Sequence, residues 1–260
     1  MPQERAANSA HTIIKQSKIR LIFAILGRLF GLIKDSMIFN IISLICNGTG
    51  LALMISGVIN CIIRSWVRII FNLYKDESYL THTLPIPRET HYLSKIISVI
   101  ITLFISLIIL FIGLIIMYYN ENTLEFIKQS LNIISDTLNS SVVLFVIATL
   151  LVVILEMIFI IFCGNFGIVF GHTFNQKKVS KSFLFGLMAY GISNGISLIL
   201  ILIASIFSQS VKGLLFGGNN EVEFSMLMVL VWCFVILYGI YNIILYLLTS
   251  KLFKKGVNID

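Results

Sequence analysis

The sequence predicts an all-α, polytopic helical membrane protein, and three observations carry that prediction. The 260 residues are 58% hydrophobic and only 12% charged, where a soluble domain carries about 25% charged residues. The acids and bases gather in short clusters that leave long charge-free windows between them. The basic clusters fall on alternate connections, as expected of a chain threaded back and forth through a bilayer. A mean hydropathy of +0.98 agrees. Barrel strands would read as alternating segments of about ten residues, so helices are expected.

The elements follow in order. A helix crosses the hydrocarbon core with about 20 apolar residues. Windows 36–63, 96–120, 182–208 and 224–250 supply that length without one Asp, Glu, Lys or Arg, and 141–174 is interrupted once, at Glu156. Arg64, Arg68, Lys75, Arg88 and Lys95 share one connection; Lys177, Lys178 and Lys181 share another; Lys251, Lys254 and Lys255 lie near the C-terminus. The intervening stretches, 121–140 and 212–223, read as loops and hold only Lys128 and Lys212 among five acids. The positive-inside bias therefore puts 64–95, 177–181 and the C-terminus in the cytoplasm. A net charge of +7 then reports orientation and contact with anionic lipid. No nucleic-acid partner is expected.

Residues 1–35 fit this pattern least well. Arg5, Lys15, Lys18, Arg20, Arg28, Lys34 and Asp35 interrupt them, and the charge-free apolar core there is only Leu21–Gly27. Two readings fit: a basic helix lying in the interface, or a marginal first crossing whose cations snorkel to both surfaces. Because the 36–63 span starts outside, a crossing keeps the basic N-terminus inside. Residues 1–260 are thus read as a single transmembrane domain of six helices. The four cysteines, Cys46, Cys61, Cys163 and Cys233, fall inside expected spans and imply no disulfide framework.

The longest polar run, DESYLTHTLPIPRETHYLSK (Asp76–Lys95), sits in the 64–95 connection. Asp76 and Glu77 suit the first turn of a helix. Tyr79, Leu80, Thr83 and Leu84 then share one face at helical spacing. Pro85 and Pro87 stop that helix, and Pro87 can open the next, with Glu89 in its first turn. A short surface helix, a kink and an immediate return to the membrane are expected. The exposed pair Tyr79 and Leu80 needs a cover, which lipid headgroups or a protein cleft could supply. An anionic membrane would repel Asp76 and Glu77.

At these residues YKDESYLTHTLPIPRETHYLSKIISVIITL resembles the intracellular segment of bacterial ABC-2-type transporter permeases, typically D-E-G/S-Y-L-T-x-T-L-P followed by S-K and a span. KLFKKGVNID (Lys251–Asp260) is similar to the tail of the same group. The likeness runs from about Met37 to Asp260, with Ser78 where glycine is often found. It implies the permease subunit of an ATP-driven exporter, which pairs with a second, like or related, permease and docks on separate cytoplasmic ATPases. The family's coupling helix maps to Asp76, Glu77, Tyr79, Leu80, Thr83, Leu84 and Pro85. The chain has no G-x-x-x-x-G-K-[ST] phosphate loop, which fits hydrolysis in a partner. No cofactor is implied.

Other residues stand out inside the spans. A carboxylate as deep as Glu156 costs about 2.5–3.5 kcal/mol on insertion scales, so it is expected either on a substrate or proton path or hydrogen-bonded within the bundle. Asn60, Asn165 and Asn194 could line that path or bond neighbouring helices. Gly167-xxx-Gly171 and Gly191-xxx-Gly195 let helices approach closely, within one subunit or between two. His11, His82, His91 and His172 form no H-E-x-x-H, and no G-x-S-x-G occurs, so neither a metal site nor an enzyme is expected. The alternative to transport is a membrane immunity or sensor component with a permease-like fold.

Overall fold

The computed structural model describes residues 18–33, 36–74, 87–138, 142–207, 209–216 and 224–255. Among them the secondary structure is helical. Helix α1 covers residues 18–31, α2 Met37–Leu73, α3 Arg88–Tyr118, α4 Glu121–Leu138, α5 Val142–Gly171, α6 Lys178–Phe207, α7 Gln209–Phe216 and α8 Phe224–Lys255. Five of these, α2, α3, α5, α6 and α8, are long and apolar enough to cross a membrane. Their outer faces are hydrocarbon: on α3 alone Ile101, Ile105, Ile108, Ile112 and Ile115 are exposed. In water such a surface would aggregate. In lipid it is the expected exterior, because each helix satisfies its own backbone.

The helices overrun the charge-free windows. Helix α2 continues through Arg64–Leu73, where the apolar period persists and long cationic side chains can reach a polar boundary. The 121–140 stretch, read above as a loop, is mostly helix α4. Its acids misled that reading, although Glu121 sits where a first turn favours one. The Leu124 amide donates to the Asn120 carbonyl at 2.9 Å and opens the helix.

Contacts divide the chain into two compact units, Met1–Ile63 with Ser98–Ile127, and Arg64–Ile97 with Lys128–Asp260. In the first, α1 runs antiparallel along α2. The Arg20 guanidinium lies on Gly57, Ala24 and Phe23 meet Gly50, the Asn47 side chain fills the notch at Gly27, and Ser43 Oγ lies 2.9 Å from the Cβ position of Gly31. Ser43 also donates to the Gly27 carbonyl at 2.7 Å. Small residues at each crossing point let the backbones close up. Ala24, Met54 and Met117 form the buried core of this unit, and Met54 folds into the notch of Gly113.

In the second unit α5 is the hub, packed on α6 and on α8. A stripe of glycines on α5 makes this possible. Gly164 receives the Trp66 indole; Gly167 and Gly171 abut the α6 backbone at Ser182 and Gly186. Trp66 Nε1 also donates to the Ile161 carbonyl at 3.2 Å. Among the described residues nothing lies within 4 Å of a Cβ position at Gly191 or Gly195, so that pair makes no close helix contact among them.

Candidate functional site

The residues assigned to the coupling helix, Asp76, Glu77, Tyr79, Leu80, Thr83, Leu84 and Pro85, lie outside the described residues. The structure shows instead how both ends of that segment are held. At the leading end Tyr74 follows directly on α2, its amide bonded to the Ile70 carbonyl at 3.0 Å. Its side chain is 2% exposed and stacks on His172 with centroids 4.1 Å apart. His172 follows α5 and is equally buried. Its Nδ1 lies 2.8 Å from the Ile168 carbonyl and 3.4 Å from Ser182 Oγ. The carbonyl contact assigns Nδ1 as the protonated ring nitrogen. Ser182 itself donates to the Lys178 carbonyl at 2.8 Å. The end of α2 is thereby fastened to α5 and α6.

At the trailing end Tyr92, one turn into α3, is fully buried. It stacks on Tyr246 at 6.0 Å and tilts against Phe253 at 6.2 Å, both on α8. Glu89 pairs with Lys254 at the rim. Aromatic pairs contribute about 0.5–1.5 kcal/mol each beyond their buried area. The exposed ion pair contributes little, so it orients more than it stabilises. Burial, and after it the neighbouring Tyr92, holds the Tyr74 phenol well above its ordinary range. Tyr74 is therefore neutral at any working pH.

Between these anchors lies a strained polar knot. Asn165 and Thr249 are both fully buried, and both stand beside the Tyr92 hydroxyl. Neither polar atom of Asn165, nor the Tyr92 hydroxyl, has a well-formed hydrogen bond among the described residues. Thr249 spends its hydroxyl on the Leu245 carbonyl at 2.6 Å. Each buried group left unpaired costs about 1–3 kcal/mol.

A second polar cluster sits near the middle of α5, α6 and α8. Glu156 is half-buried and its carboxylate lies within electrostatic range of Tyr238. Nearby, Phe159 is fully buried beneath the rings of Tyr190, Tyr238 and Tyr241, at 5.9, 5.6 and 5.7 Å. The Tyr241 hydroxyl donates to the Ser193 carbonyl at 3.1 Å and meets Ser197 Oγ at 3.3 Å. Asn242 donates to the Leu155 carbonyl at 3.1 Å, and its buried Oδ1 has no partner among the described residues.

The residues suggested as a path therefore separate. Glu156 belongs to the central cluster, and Asn165 to the knot about 14 Å further along the α5 axis at 1.5 Å per residue. Asn194 donates to the Tyr190 carbonyl at 2.9 Å, and Asn60 is exposed on α2. Tyr74, Tyr92, Tyr238, Tyr241 and Asn242 do not stand out in the sequence, and His172 is there one of four histidines that form no H-E-x-x-H. The available signal was the crowding of tyrosines 238, 241 and 246 in a charge-free window. No group of His, Cys, Asp and Glu fit to hold a metal occurs among the described residues. No protein-family model matches the chain, and neither a curated protein nor a solved structure is significantly similar to it.

Proposed function

We propose that this chain is the permease subunit of an ATP-driven ABC-2-type exporter in a bacterial plasma membrane. It would work with a second permease and with separate cytoplasmic ATPases. The observation that supports this reading best is the double anchoring of the 75–86 segment. One end is locked by Tyr74 on His172, the other by Tyr92 on Tyr246 and Phe253. A push on a segment held this way is delivered to α5, α6 and α8 together. Those helices also carry the Glu156–Tyr238–Tyr241 cluster.

In this reading, ATP-driven closure of the ATPases moves the segment, the Tyr92–Asn165–Thr249 knot re-pairs, and the central cluster opens to substrate. Helix α1 counts as the first of six crossings, because it lies along residues 43–57 of α2, inside a charge-free window. Lys18 and Arg28 then reach the two surfaces by snorkelling, while the Arg20 guanidinium stays packed on Gly57. With the C-terminus cytoplasmic, the polar segment faces the ATPase.

Affinity purification in mild detergent tests the proposal. The chain should bring down a protein bearing a phosphate-binding loop. Tyr79→Asp with Leu80→Asp should lose that partner and its transport. Retention of both in the double variant would sink the assignment.

A further inference from the structure

A groove on the second unit leads to a carboxylate. Trp66 of α2, Ile160 and Gly164 of α5, and Gly186 and Tyr190 of α6 line a channel of about 370 Å³ whose walls are almost wholly hydrocarbon. Gly164 and Gly186 put no side chain into it. Small-molecule sites typically have volumes of about 300–1,000 Å³. Glu156 precedes Ile160 by four residues, so it stands on the same face of α5, about 6 Å further along at 1.5 Å per residue. Tyr190, 40% exposed, marks this end of the groove on α6. Its ring lies against Phe159, as does that of Tyr238. Tyr238 is within electrostatic range of both Glu156 and Tyr190, and Tyr238 and Glu156 are half-buried. One acid and two accessible aromatic rings therefore meet where the hydrocarbon groove stops.

Nothing on these helices neutralises the acid. Glu156 makes no hydrogen bond or ion pair among the described residues. Residues 141–171, 182–211 and 213–250 contain no Lys, Arg or His. Lys178 and Lys181 stand at the opposite, Val179 end of the groove. Arg64 and Arg68 of α2 lie two residues either side of Trp66, a spacing that turns them from its face. A carboxylate at this depth needs a proton or a cation.

We infer that this site binds a lipophilic organic cation, its charged nitrogen between Glu156 and the Tyr190 and Tyr238 rings and its apolar body along the groove. Aromatic faces attract an organic cation most strongly when it is desolvated, and the carboxylate supplies the counter-charge. A lipid acyl chain would fill the groove and leave Glu156 unused. A metal ion would need several further oxygen ligands, and no group of His, Cys, Asp and Glu fit to hold one occurs among the described residues. As a substrate class the inference rests on the exporter reading; as a binding site it does not.

Trp66 lines the groove and reports its occupancy. The chain has two tryptophans, so Trp232→Phe leaves Trp66 as the sole emitter. The full chain, purified without a partner into phosphatidylcholine nanodiscs, is titrated with a bromoalkyl-trimethylammonium salt or with the bromoalkyl alcohol of equal chain length. Saturable quenching, above the linear part due to partitioning, measures binding. The cation should bind about thirtyfold more tightly than the alcohol, the increment of one desolvated cation–π contact. Glu156→Gln should abolish that preference, because an uncompensated cation at this depth is costly. It should still bind the alcohol as the parent does, which separates loss of charge from loss of fold. Glu156→Asp should keep a preference for the cation. Equal binding of the two compounds by the parent overturns the inference, as does a preference undiminished in Glu156→Gln. Absence of saturable quenching by either compound, with the chain dimeric, overturns it in favour of a second copy. Co-purification of an ATPase would survive each of these failures, so they leave the exporter reading standing.

Discussion

Gly167→Ala introduces one methyl group where the α5 backbone meets the α6 backbone directly. The new Cβ would sit 2.6 Å from Gly186 Cα and 2.5 Å from its nitrogen, and closer still to the Ser182 carbonyl oxygen. All three are backbone atoms, so no side chain can swing away. The helices must separate by on the order of 1 Å, and overpacking of this kind costs about 1–3 kcal/mol. Against this stands the better helix propensity of alanine, worth up to about 1 kcal/mol. The predicted net loss is about 1–2 kcal/mol. Gly191→Ala is the control: it meets nothing within 4 Å among the described residues, keeps the propensity gain and should leave stability unchanged or raised. Both are read as the midpoint of unfolding by dodecyl sulfate titrated into mild-detergent micelles. A Gly167→Ala midpoint at or above the parent's, or an equal loss in Gly191→Ala, would refute close packing at Gly167.

Four further substitutions probe the Tyr74 anchor and the two polar clusters. Tyr92→Phe removes a buried hydroxyl without a well-formed bond and keeps both ring contacts, so the unfolding midpoint should hold or rise. Tyr241→Phe loses the bond to the Ser193 carbonyl and should cost about 0.5–1.5 kcal/mol in the same assay. Reversal of that order would contradict the assigned geometry. His172→Ala removes the ring under Tyr74. It should lower partner-driven transport in vesicles more than it lowers partner binding, and equal losses would count against a transmitting role. Glu156→Gln keeps the side-chain volume and removes the acid. It should leave the unfolding midpoint unchanged or raised, because a carboxylate at that depth is costly, while changing transport; unchanged transport would place Glu156 among packing residues.

The five helices long and apolar enough to cross a membrane were legible because a missing charge is a property of the sequence itself. Helix α1 was only half legible. Its cations interrupt the hydrophobic run, and what places it against α2 is the fit of Arg20, Asn47 and Ser43 into glycine notches, which only the three-dimensional pairing reveals. Helix α4 was misread because its acids outweighed the apolar spacing of Leu124, Ile127 and Leu131. The polar segment was recognised, but its anchors were not. Tyr74 meets His172 and Tyr92 meets Phe253 across long stretches of chain, and no local spacing encodes such pairs. Inside a span a tyrosine reads as one more aromatic residue until its neighbours are known.

The central claim is that the segment between Tyr74 and Pro87 receives an ATPase. A photoreactive residue placed at Leu80 in the full-length chain, illuminated in intact cells, tests it most directly. The account predicts a crosslink to a protein carrying a phosphate-binding loop, with a yield that changes when cellular ATP is depleted. Crosslinking at Leu80 to lipid alone, with the chain folded and in the membrane, would contradict it.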